Sequence, residues 1–94
     1  MSDAAPDPER RFRQSAGLEL SEVLDGYLVY QLERDRVHYL NPTAAAVLQM
    51  CDGSLRAADL PEVVAAAFRL PEVPRADIER CLGQLLDEGL IIPV

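Results

Sequence analysis

A chain of 94 residues, 49% apolar and 27% charged, has the composition of one ordinary globular domain and not of a disordered chain. Its 9 basic residues, all Arg, stand against 16 acidic ones for a net charge of −7, and an acidic protein repels the phosphate backbone that supplies most non-specific nucleic-acid affinity. No apolar run approaches the ~20 residues that span a bilayer and residues 1–16 hold no apolar segment of signal-peptide type, so a cytoplasmic protein with no nucleic-acid or membrane partner is expected.

In chain order, residues 1–16 read as a flexible tail with balanced charge, in which Phe12 is the one large apolar group able to dock. The ordered domain is expected over residues 17–94. Leu18–Val23 alternates apolar and polar residues as a half-exposed strand does. Asp25-Gly26 reads as a tight hairpin turn with positive φ. Tyr27 to Leu32 is apolar on both faces at its start, which suits a middle strand. After the charged turn Glu33-Arg34-Asp35, a third strand runs from Arg36 to Leu40 and forms the edge of an antiparallel meander.

Asn41-Pro42 marks a helix start, because Asn caps free N–H groups and Pro at the first position loses nothing by lacking one. Ala44, Val47, Leu48 and Cys51 follow at helical spacing, and Gly53 is expected to end that helix. A second helix begins near Asp59 and Pro61 and carries Val63, Val64, Ala67 and Phe68. Pro74 opens a third helix with the stripe Ile78, Cys81, Leu82, Leu85 and Leu86. Gly89 stops it, leaving Leu90-Ile91-Ile92 as an apolar segment that must pack somewhere. The fold expected is α+β, a three-stranded antiparallel meander followed by three helices and similar to a winged helix-turn-helix.

Little in this pattern supports chemistry. The glycines are scattered and form no phosphate loop. A serine nucleophile would need a base, and the single His38 lies on a strand with no orienting carboxylate fixed by the sequence. Cys51 and Cys81 are too few for a disulfide framework or a zinc site, and read as buried, reduced thiols. No enzyme activity, metal or cofactor is expected. A winged-helix regulator would place the third helix in the DNA major groove. That helix carries Arg75 and Arg80 against Asp77, Glu79, Asp87 and Glu88, a surplus of acid that repels phosphate. A structural or dimerisation subunit with a permanently paired edge is a third reading, and a homodimer would follow from it. The remaining feature is the edge Arg36–Asn41, a template for strand addition by another chain.

The run Asp25-Gly26-Tyr27-Leu28-Val29-Tyr30, then Val37-His38-Tyr39-Leu40-Asn41-Pro42-Thr43-Ala44, then Cys51-Asp52-Gly53, resembles the PqqD family. Leu82-x-x-Leu85-Leu86-x-x-Gly89-Leu90-Ile91 matches its C-terminal pattern. The resemblance covers roughly residues 17–92. It implies a peptide chaperone, or precursor recognition element. Such a domain binds the leader of a ribosomally made precursor peptide and presents it to a modifying enzyme, often a radical SAM protein, in pyrroloquinoline quinone or related biosynthesis. Carried over, the leader would lie between Arg36, Val37, His38, Tyr39 and Leu40 on the strand side and Ile78, Cys81, Leu82 and Leu85 on the helix side. His38 and Tyr39 point to opposite faces of their strand, so at most one can look into such a groove.

Overall fold

The computed structural model describes residues 7–94; the first six residues of the expected tail lie outside the described residues. The elements are β1 (Arg11–Gln14), β2 (Leu18–Val23), β3 (Gly26–Gln31), β4 (Arg36–Leu40), α1 (Pro42–Met50), β5 (Asp52–Arg56), α2 (Leu60–Phe68), α3 (Arg75–Asp87) and β6 (Ile91–Pro93). Strands β2, β3 and β4 form the expected antiparallel meander, with β4 at its edge. The three helices follow and pack on one another, and α1 packs on β3 and β4. The α+β class read from the sequence holds.

A second three-stranded sheet, ordered β5-β1-β6, was not expected. Its central strand is β1, inside the segment read as a tail. Phe12 anchors it at 3% exposure, and the backbone is tied on both sides: Ala57 N–H donates to Arg10 O at 2.8 Å and Val94 N–H to Arg11 O at 2.9 Å. Charged, proline-containing segments look disordered from their own composition, yet a central strand is stabilised by neighbours distant in sequence. Leu90-Ile91-Ile92 finds its packing here, since Phe12↔Pro93 and Gln14↔Ile91 are paired.

Two glycines have roles other than those expected. The β2–β3 turn is Leu24-Asp25, between the paired residues Val23 and Gly26, and neither Asp25 nor Gly26 has positive φ. Gly26 is needed because a Cβ there would collide with Leu40 O and the Tyr39 ring. α1 ends before Gly53, with Cys51 N–H donating to Leu48 O at 3.1 Å. Gly53 (φ 89°) instead lies in β5, where the register against β1 slips between Arg11↔Arg56 and Arg13↔Asp52; such a bulge suits a glycine.

The capping signals do better. Ala44 N–H donates to Asn41 Oδ1 at 2.8 Å, with Pro42 at the head of α1. Gly89 (φ 71°) ends the turn after α3, where Leu90 N–H donates to Leu85 O at 2.9 Å. The core gathers Val29, Leu48, Leu60, Ile78, Leu82 and Leu85 between helices and meander, each 0–1% exposed. The end of α3 meets the meander at Glu88 and Gly89, beside Gln31 and His38.

Candidate functional site

The backbone of β4 is the first part of the site. In an antiparallel sheet, successive residues send their N–H and C=O groups alternately to either side. Leu32 N–H donates to Gly17 O at 3.0 Å, continuing the β2–β3 ladder. By alternation Leu28 and Tyr30 also face β2, while Tyr27, Val29 and Gln31 face β4. Their partners are Leu40, His38 and Arg36, whose main-chain groups are therefore used within the meander. Val37 and Tyr39 direct theirs away from it. Among the described residues no strand pairs with that side of β4.

Side chains divide by the same parity. Val37 and Tyr39 are 61% and 56% exposed on the face turned from the helices. His38 and Leu40 lie on the helix-facing side, Leu40 being buried and His38 retaining 11% side-chain exposure. Tyr39 is thus the residue of the pair that points away from α3. Arg36 is exposed at the start of the strand.

His38 joins strand to helix. Gln31 is buried, and its Nε2 donates to Glu88 O and Gly89 O at 3.3 and 3.2 Å. That leaves Gln31 Oε1 as acceptor, so His38 Nε2, 3.0 Å away, donates to it. His38 Nδ1 stands 3.6 Å from Glu88 Oε1. This network holds β4 against the end of α3 and gives His38 a structural partner set.

Beyond it, a cleft of ≈ 360 Å³ opens between the start of α1 and α3, lined by Asn41, the residue after β4, and by Thr43, Ala44, Asp77, Arg80, Cys81 and Gln84. Cys81 is the expected helix residue that reaches it. Ile78, Leu82 and Leu85, also expected there, are 0–1% exposed in the core and support the wall from behind. The apolar stripe of α3 marks its core face. The cleft is lined by the adjacent positions Asp77, Arg80, Cys81 and Gln84, spaced by three and four, whose polar side chains give no signal of their own. Arg80 Nη1 donates to Asp77 Oδ1 at 3.0 Å, and Arg75 stands 3.7 Å from Glu62. Both cations of α3 are therefore paired with acids, which removes the charge a DNA-reading helix would need.

The thiols are unreactive in character. Burial, then the neighbouring Cys81 and Asp52, push the Cys51 thiol up to about 12. Burial, then Glu88, push Cys81 up to about 11. Both stay protonated at neutral pH, and a thiolate is what nucleophilic or metal-binding chemistry requires. Among the described residues, no group of three or more His, Cys, Asp or Glu could hold a metal ion. No described helix is long and apolar enough to cross a membrane.

Comparison with known proteins adds three findings. No curated protein matches the sequence. Among solved structures, "Lasso peptide synthetase B1 complexed with the leader peptide" superposes with a TM-score of 0.66 at 23% identity, over 88% of this chain and 99% of that one. At that identity the likeness establishes a shared fold. The family model described as "Coenzyme PQQ synthesis protein D (PqqD)" matches residues 26–91, a span that takes in the meander's last two strands, all three helices and the start of β6. The chain belongs to the PqqD family.

Proposed function

We propose that this chain binds the leader of a ribosomally made precursor peptide by strand addition at β4 and presents it to a separate modifying enzyme. The observation that carries this reading is the open side of β4, where Val37 and Tyr39 offer their N–H and C=O groups on the strand that leads through Asn41 to the α3 cleft. An added strand would satisfy those groups, each hydrogen bond contributing ~1 kcal/mol net. Alternate peptide side chains would then turn toward α3. Ala44 and Cys81 make a small apolar floor for one of them, with Asp77, Arg80 and Gln84 as polar surroundings. The family and the leader complex of the similarly folded synthetase B1 support the same reading. The modifying enzyme is of radical SAM type, in pyrroloquinoline quinone synthesis or a related pathway, and this chain supplies recognition without chemistry of its own.

Calorimetric titration with the leader of a precursor encoded nearby tests the proposal. Saturable binding is expected. Val37→Pro removes an N–H that the meander does not use, so the chain should stay folded by circular dichroism. Its affinity for the leader should fall roughly tenfold, the equivalent of ~1.4 kcal/mol. A folded Val37→Pro chain that binds the leader as tightly as the parent would sink the strand-addition reading.

A further inference from the structure

The face of the meander turned away from the helices carries an apolar patch that strand addition does not need. Leu28 pairs with Tyr39 and Tyr30 with Val37 across β3 and β4, so these four side chains form one block, each 37–61% exposed. Hydrogen bonds orient both rings: Tyr39 Oη donates to Asp25 O at 2.7 Å and Tyr30 Oη to Asp35 Oδ1 at 3.0 Å. An apolar cluster with tyrosines held in place is the composition of a protein interface, where Tyr is enriched among the residues that dominate affinity.

The charges around the block indicate what would cover it. Glu19 lies beside Tyr30 in register, and Asp25 and Asp35 stand at the two ends. Arg36 shares the parity of Gln31, on the other face, and Arg34 reaches back to Glu88 O at 3.5 Å. Two copies meeting on this face would oppose acid to acid. A different protein, apolar at the centre and basic at the rim, would complement it.

We infer that the outer face of the meander is a docking surface for a protein partner with an apolar centre and an Arg- or Lys-rich rim, namely the enzyme that modifies the bound peptide. This rests on the peptide-presenting reading, because it takes the partner from that reading. One chain then uses two sides of the same strand: the β4 edge for the peptide and the β3–β4 outer face for the enzyme. Leu28 and Tyr30 lie one strand in from the edge, so changing them separates the two contacts.

The test measures binding of the chain to the peptide-modifying enzyme encoded in its gene neighbourhood, and separately to the leader. Thr keeps strand propensity, so the Leu28→Thr/Tyr30→Thr chain should fold. It should lose about tenfold or more in affinity for the enzyme, as expected when aromatic anchors are removed, while binding the leader within about twofold of the parent. Glu19→Lys, which leaves the apolar block intact, should also weaken the enzyme complex and flatten its salt dependence. Enzyme affinity unchanged in both variants overturns the inference, as does a parent chain that binds leader but not enzyme. A parent chain that sediments as a dimer, and a double variant that sediments as a monomer, would overturn it in favour of a second copy. If the parent binds the enzyme through this face but not the leader, the docking surface stands and the peptide reading falls.

Discussion

Gln31 is the buried polar residue of the described core, and three groups depend on it: the carbonyls of Glu88 and Gly89, and His38 Nε2–H. Replacing it by Leu fills the space but leaves His38 Nε2–H without its acceptor, at about 1–3 kcal/mol in an interior site, and leaves the two carbonyls only Ser15 Oγ and Arg34 Nη1 as donors. Gln31→Leu should accordingly lower the urea midpoint, and an unchanged midpoint would mean that water replaces the side chain. The thiols make a second prediction. Their folded values, about 12 for Cys51 and about 11 for Cys81, lie above the ordinary 9.0. The unfolded chain releases these protons first, so the stability they contribute is fully present below pH 9 and is lost as pH rises through the folded values. Cys51→Ala/Cys81→Ala should flatten the alkaline limb of the stability profile; a parallel limb would assign that loss to other groups. None of this detail was legible in the sequence. Tyr27 to Tyr30 is apolar at every position, so parity could not be read there, and with it the inward aim of Gln31 and His38 was hidden.

At the scale of elements, the meander and the helices were readable because each carries a local signal. Asn41-Pro42 and Gly89 mark helix ends, and Ile78, Leu82 and Leu85 give α3 its core stripe. The second sheet has no such signal. Its strands are 4, 5 and 3 residues long, and their pairing joins the two ends of the chain, as Phe12 does with Pro93. The consequence is measurable. As the central strand, β1 should be required for stability, and Phe12→Ala should cost about 3–5 kcal/mol, as for other buried aromatic residues. A thermal midpoint left in place by Phe12→Ala, or by removal of residues 1–14, would return that segment to the status of a tail. The cleft shows the same limit from another side. The family resemblance put its helix wall on Ile78, Cys81, Leu82 and Leu85, of which Cys81 lines the cleft, whereas Asp77, Arg80 and Gln84 line it too and look like any solvated helix face.

Across the whole molecule, β2 and β4 are the two edges of the meander, and β4 is the one whose chain runs on through Asn41 into the wall of the α3 cleft. That edge was legible beforehand as Arg36–Leu40; which backbone groups face outward required the register. The central claim is that Val37 and Tyr39 take up the peptide backbone. Amide hydrogen exchange followed by NMR, with and without the leader, tests it most directly. His38 and Leu40 bond to β3, so their amides should exchange slowly in both states. Val37 and Tyr39 should exchange rapidly in the free chain and become protected when the leader binds. Protection of these two amides before any peptide is added, or leader binding that leaves them as fast as in the free chain, would contradict the account.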